Sequence, residues 1–74
     1  MILYFVKNEP LWTVHVDSPT NPPVVNLNPM SAGIGLYGLM PAGLFSTFSR
    51  GVDLILKGEV KTSCFKLIHE TEED

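Results

Sequence analysis

Charge is missing from the middle of this chain. Between Asp17 and Arg50 there is no Asp, Glu, Lys or Arg, so residues 18–49 form one uncharged stretch. Basic residues are also scarce, because the five Lys and Arg are scattered along the sequence. Nucleic-acid binding normally needs Lys and Arg clustered on one face. The composition therefore argues against nucleic acid as a partner.

Cysteine and histidine are nearly absent. One thiol, Cys64, cannot form an internal disulfide, and neither His15 nor His69 is spaced from it in a zinc-ligand pattern. A thiol–imidazole pair would need a third orienting group, and none is evident. Cys64 is expected to be a small buried thiol in a strand, and His15 a surface residue. We predict no catalytic centre, no metal site and no cofactor.

The chain is short, and its acidic residues are concentrated at one end. With 74 residues it forms one small domain, which buries only about 60% of its unfolded surface. Scaffolds of this size lean on disulfides, metals or association. With disulfides and metal set aside, good packing or oligomerisation remains, and the 45% hydrophobic content supplies material for either. Residues 70–74 hold four of the eight acidic residues. We predict a near-neutral domain over residues 1–69 and a disordered acidic tail over residues 70–74.

No convincing targeting or membrane-spanning segment is present. Residues 1–6 are apolar but lack a basic leader and end at Lys7. Residues 30–48 are uncharged and about long enough to span a bilayer. Their glycine, proline and hydroxyl residues dilute the hydrophobicity. The expectation is a cytoplasmic protein that does not bind membranes.

The first half of the chain has the pattern of β-strands. Residues 2–6 are apolar on both faces, which is typical of an interior strand or one covered by a partner. Residues 11–17 alternate as a half-buried strand does, with Trp12 expected in the core. A longish loop over residues 7–10 joins them into a hairpin. Residues 24–27 form a third strand, and residues 30–39 remain ambiguous.

The second half predicts one helix and one strand. Residues 41–57 have helical periodicity, with Gly58 as the stop signal. The apolar stripe of this helix comprises Pro41, Leu44, Phe45, Phe48, Val52, Ile55 and Leu56. Residues 60–69 form the last strand, whose alternation changes phase at Cys64. This break predicts either a strand covered on both faces or a β-bulge.

The order β-β-β-α-β predicts an α+β fold, in which one amphipathic helix packs across one face of a small, mostly antiparallel sheet. One helix covers only one face of such a sheet. The first and last strands carry apolar residues on both faces. An exposed apolar surface is therefore expected on the second face, and such surfaces usually mark interaction sites.

Three glycines, Gly33, Gly35 and Gly38, spell the G-x-G-x-x-G pattern between a strand and a helix. In dinucleotide-binding proteins these glycines form the strand-to-helix turn itself, whereas here they are separated from both elements. Two interpretations stay open: the glycines allow tight turns and close packing, or their backbone amides hold a phosphate or nucleotide. For the second, the candidate ligand-binding residues are Asn28, Gly33, Gly35, Tyr37 and Gly38.

The leading hypothesis is a small non-enzymatic protein-interaction module. It would act as an inhibitor, adaptor or regulator, of the kind expected of a phage or mobile-element accessory protein, through a neutral apolar surface. The predicted interface residues are Met30, Ile34, Leu36, Tyr37 and Leu39. The expected partner is another protein or a second copy, since a homodimer or higher oligomer would cover the open face. The alternative is an oligomeric protein that sequesters a small ligand or nucleotide through residues 28–38.

Overall fold

A computed structural model describes residues 1–28, 33–36 and 42–69 of the chain. The elements in chain order are β1 (Ile2–Asn8), β2 (Leu11–Val16), β3 (Val25–Asn28), β4 (Gly33–Leu36), a 3-10 turn (Ala42–Leu44), α1 (Phe45–Leu56) and β5 (Cys64–Ile68). The predicted α+β class, with one helix and a small antiparallel sheet, is confirmed. β4 is an additional strand, and it lies in the segment that the sequence left ambiguous.

The described strands form one sheet in the order β4-β3-β2-β1-β5, and each neighbouring pair is antiparallel. β1 and β2 form a hairpin in which Asn8 is opposite Leu11. Only Glu9 and Pro10 lie between these strands, and the peptide bond joining the two residues is cis. The connection is thus shorter than the longish loop expected from the sequence. β4 and β5 are the two edges of the sheet.

Aromatic rings fill the centre of the core, on the face of the sheet that carries the helix. Phe5 stacks on Phe65 with ring centroids 4.8 Å apart, and Phe48 of α1 stacks on Phe5 at 6.4 Å. The Trp12 ring meets Phe65 edge-on at 5.6 Å. Trp12 is only 5% exposed, which confirms its predicted place in the core. Offset and edge-on ring pairs add stability beyond the area they bury.

The helix packs on β1 and β5, and its buried face overlaps the predicted stripe but is rotated from it. Leu44, Phe48, Val52 and Ile55 of that stripe belong to the core or pack against it. Thr47, Gly51 and Ile55 are the buried residues of the helix. Phe45 and Leu56, which hydrophobicity placed on the core stripe, are 53% and 50% exposed. The helix is rotated because Gly51 has no side chain and so allows the helix backbone to approach the Phe5 ring closely. Hydrophobic periodicity gives glycine no weight and therefore missed this contact.

The helix ends at the glycine that the sequence indicated. Gly58 adopts a positive φ of 72°, a conformation that other residues rarely adopt. Its N–H donates to the Ile55 carbonyl, and the Glu59 N–H donates to the Leu54 carbonyl, both at 3.1 Å. These two bonds are those of a Schellman motif, which satisfies the last free carbonyls of a helix.

The last strand begins at Cys64, four residues later than predicted. Just before it, the Ser63 carbonyl accepts a hydrogen bond from the Lys7 N–H at 2.7 Å. From Cys64 onward the alternation is regular, with Phe65 and Leu67 packed against the core. The phase change is therefore the start of the strand, and neither a bulge nor cover on both faces is needed. Cys64 is exposed, which corrects the expectation of a buried thiol.

Replacing Gly51 with Ala tests the helix–sheet approach. An added Cβ would overlap the Cζ atom of Phe5, so the helix or the ring must shift. Overpacking costs about 1–3 kcal/mol, whereas Ala gains at most about 1 kcal/mol in helix propensity. We expect a net loss of about 1–2 kcal/mol in the free energy of unfolding, measured by urea denaturation.

Gly43→Ala is the matched control for this substitution. Among the described residues, a Cβ at Gly43 would meet the Nε2 atom of His69 at 3.6 Å, which is an ordinary contact. The stability of this variant should stay within about 0.5 kcal/mol of the native chain. A Gly51→Ala protein as stable as the native one would refute the close approach.

Candidate functional site

The sheet face opposite α1 is called the open face. The strand register assigns to it alternate residues from all five strands. They are Ile2, Tyr4, Val6, Asn8, Leu11, Thr13, His15, Asn26, Asn28, Gly33, Gly35, Cys64, Lys66 and Ile68. Most of the apolar members lie on β1 and β5, with Leu11 of β2 at the hairpin end. The polar and glycine members lie mainly on β2, β3 and β4. The open face is therefore divided into two chemically different halves.

The apolar half occupies β1 and β5. Ile2, Tyr4 and Val6 are half-buried, and Ile68 is 59% exposed. Of the open-face residues on these two strands, Lys66 is the charged one. An apolar surface with so little charge is typical of an interaction site. This agrees with the exposed surface expected from the two-sided apolar pattern of β1.

The polar half contains a buried histidine. His15 is 8% exposed, which corrects its prediction as a surface residue. Its Nδ1 lies 2.6 Å from the Asn21 carbonyl and its Nε2 lies 2.8 Å from the Thr13 hydroxyl. Asn21 belongs to the loop between β2 and β3, and its side-chain Nδ2 also donates to the Val16 carbonyl at 2.7 Å. The loop is thereby fastened over one end of β2.

These hydrogen bonds determine which ring nitrogen of His15 carries the proton when the imidazole is neutral. A carbonyl can only accept, so Nδ1 of His15 carries the proton and donates to Asn21. Nε2 then accepts from the Thr13 hydroxyl, which itself accepts from the Asn8 side-chain Nδ2 at 3.0 Å. The arrangement satisfies both ring nitrogens and holds a loop. These hydrogen bonds join Asn8 of β1 and the loop between β2 and β3 to β2.

At the β4 edge of the open face, each glycine of β4 is paired with an asparagine of β3. Gly35 is paired with Asn26, and Gly33 with Asn28. The Oδ1 atom of Asn26 is buried and has no hydrogen-bond partner among the described residues. A buried acceptor without a donor costs stability. Glycines in a strand often mark a place where another backbone approaches closely.

The two edges of the sheet differ in charge. β4 has the sequence Gly-Ile-Gly-Leu and lies inside the uncharged stretch. β5 has the sequence Cys-Phe-Lys-Leu-Ile, with Lys66 at its centre. Natural proteins commonly protect edge strands with charged residues, especially lysine. By this criterion β5 is protected against pairing with another chain and β4 is not.

Two of the predicted interface residues, Ile34 and Leu36, lie in β4, where the register pairs Ile34 with Leu27 and Leu36 with Val25. Gly33 and Gly35, two of the candidate ligand-binding residues, lie in the same strand. Asn28, another of those candidates, ends β3. Four other predicted site residues lie outside the described residues, namely Met30, Tyr37, Gly38 and Leu39. The predicted acidic tail, residues 70–74, lies outside them as well.

Cys64 lies apart from both histidines. β1 lies between Cys64 on β5 and His15 on β2. His69 follows the opposite end of β5, where its Nδ1 lies 2.9 Å from the Thr47 hydroxyl. Within the described ranges, no three His, Cys, Asp or Glu residues are grouped so that they could hold a metal ion.

A cleft lies at the hairpin end of the core face, beside the C-terminus of α1. Its volume is about 290 Å³, near the lower limit of about 300 Å³ for ligand pockets. The exposed ion pair between Lys7 and Glu9, 3.1 Å apart, stands at its rim. Its lining consists of Lys7, Glu9, Pro10, Trp12, Ile55, Gly58 and Val60. The cleft is small for an organic cofactor.

Comparison with known proteins gives no relative. No family model, curated protein sequence or solved structure matches this chain. In the part of the chain that the structure describes, no helix has the length and apolarity needed to cross a bilayer. The inferences about function therefore rest on the residues themselves.

Removal of the Thr13 hydroxyl tests the histidine network. Thr13→Val keeps a β-branched side chain in the strand but leaves Nε2 of His15 without its donor. A buried polar atom that loses its partner costs about 1–3 kcal/mol. We expect a loss in this range in the free energy of unfolding. We also expect ¹⁵N shifts of the native His15 ring that identify a proton on Nδ1.

Thr62→Val is the control, because Thr62 bonds the Cys64 carbonyl at an exposed position. Its effect should be below about 0.5 kcal/mol. Equal losses of stability in the two variants would mean that the buried network contributes nothing beyond a surface hydrogen bond.

Proposed function

We propose that this protein is a small non-enzymatic interaction module that binds another polypeptide along the edge of β4. The observation that carries the proposal is the contrast between the two edges of the sheet. β4 carries no charge, whereas Lys66 stands at the centre of β5. A strand edge offers a row of backbone N–H and C=O groups, and an added strand pairs with them.

The uncharged stretch around β4 supports the same proposal. Burying a charge in an interface is costly unless the charge is paired, and interface cores are depleted of charged residues. Residues 18–49 carry no charge at all. The apolar half of the open face, with Ile68 exposed, supplies a second surface of low charge. An inhibitor, adaptor or regulator would act by occupying a partner through such a surface.

Strand geometry favours this proposal over the ligand-binding alternative. A phosphate cradle needs successive N–H groups that converge on one point, as in a turn or nest. Gly33 and Gly35 lie in an extended strand paired with β3, where backbone groups alternate between the two sides of the strand. The segment 33–36 therefore offers a ladder for another strand. A thermal-shift screen with nucleotides should show no stabilisation, and a clear rise in melting temperature would favour the alternative.

A peptide with the sequence of residues 31–38 tests whether the β4 edge accepts a strand. This labelled probe, Ser-Ala-Gly-Ile-Gly-Leu-Tyr-Gly, has no charged side chain, and capping both ends removes the terminal charges. Saturable binding is expected in fluorescence anisotropy at low protein concentration. Gly35→Lys should weaken the binding at least tenfold, about 1.4 kcal/mol, because the edge then carries a charge that pairing must desolvate.

Ile68→Lys is the matched control, since it places the same charge on the open face at the other edge strand. This variant should bind the peptide as the native protein does. Both variants are compared with the native protein by circular dichroism and urea denaturation, so that a loss of fold is recognised. Binding that is unaffected by Gly35→Lys would show that the β4 edge is not the site.

A further inference from the structure

We infer that the polypeptide that pairs with β4 is a second copy of this chain, bound antiparallel about a two-fold axis. This inference rests on the proposed function and adds the identity of the partner. In the dimer, β4 of one copy lies beside β4 of the other, and the two sheets become one continuous sheet. The constraints that select a second copy are symmetry and charge.

Symmetry is satisfied by antiparallel pairing of identical strands. A two-fold interface brings the same surface of each copy together. Two copies of one strand related by an axis perpendicular to the sheet run antiparallel, and each donates and accepts the same set of backbone bonds. The neighbouring pair β3–β4 is already antiparallel. The pattern of the sheet therefore continues across the axis.

Charge allows this pairing at β4 and opposes it at β5. Around β4 the chain is uncharged from residue 18 to residue 49, so two copies bring no like charges together. Symmetric pairing of β5 centred on its middle residue would set Lys66 opposite Lys66 of the second copy. Like charges directly opposite each other on paired strands are destabilising. Of the two edges, β4 is therefore the one compatible with self-association.

The shortness of β4 determines how strong the dimer is. Four residues extend about 13 Å at about 3.4 Å per residue. A standard stable interface buries about 800 Å² per partner, which is more than the edge of one short strand supplies. We therefore expect a reversible dimer that dissociates on dilution. It would join two small domains of 8.2 kDa without an obligate interface.

Sedimentation equilibrium of the native protein is the first test. The weight-average mass should rise from 8.2 kDa at low concentration towards twice that value, over a range of roughly 10 µM to 1 mM, which covers weak dissociation constants. Gly35→Lys should abolish this rise, and Ile68→Lys should leave it unchanged. A reductant is kept in the buffer, because the exposed Cys64 thiol can form a disulfide between two copies.

Disulfide trapping is the second test, and it exploits the single native cysteine. In a Cys64→Ser background, Gly33→Cys and Gly35→Cys each place one thiol on β4. Opposed residues on paired strands have Cβ atoms about 4.5–5.5 Å apart, close to the separation in a disulfide. Mild oxidation is applied to each variant and to an equimolar mixture of the two, because an axis at Ile34 sets Gly33 of one copy opposite Gly35 of the other. A covalent dimer is expected in at least one of these three samples. Ile68→Cys in the same background, on β5, should remain monomeric.

The outcomes separate this inference from the proposed function. A monomeric mass up to about 1 mM, with peptide binding that still depends on Gly35, would overturn the second-copy inference and leave β4 as a site for a foreign strand. A dimer that is lost with Ile68→Lys and kept with Gly35→Lys would overturn β4 as the self-association edge. Concentration-dependent mass together with trapping at position 33 or 35 supports it.

Discussion

The close approach of α1 to the Phe5 ring is the contact on which the rest of this structure depends. A Cβ on Gly51 would overlap that ring, so the helix can lie this close only where a side chain is missing. Phe5 in turn stacks between Phe48 of the helix and Phe65 of β5, and Trp12 contacts Phe65. In a small domain with a marginal core, this aromatic cluster fixes the rotation of the helix. It also brings β5 against β1.

With the helix placed on one face, the properties of the open face follow from the strand register. β1 and β5 supply apolar side chains there, while β2 and β3 supply Thr13, His15 and Asn26. The histidine is occupied by two hydrogen bonds and anchors a loop. This leaves the apolar half and the β4 edge as the surfaces suited to a partner. Both have little or no charge, which lowers the desolvation cost of association.

A protein with one protected and one unprotected sheet edge associates in a limited number of ways. Lys66 opposes pairing at β5, so in the association we propose an added strand pairs with β4. Self-pairing at a short edge gives a weak, concentration-dependent contact, and weak contacts exchange readily for a better partner. Self-association and the binding of a foreign strand would then compete for one surface. The uncharged edge of β4 would then be paired either with a second copy of the chain or with the foreign strand.

The sequence alone determined the class of fold, because period-2 and period-3.6 patterns follow directly from backbone geometry. It also determined the helix stop at Gly58, the core position of Trp12 and the uncharged stretch that contains β4. Only the tertiary structure decided the helix rotation at Gly51, the burial of His15, the exposure of Cys64 and the position of β4 at an edge. These features depend on which strands become neighbours and on close contacts between residues far apart in the chain. A local pattern of hydrophobicity carries no information about either.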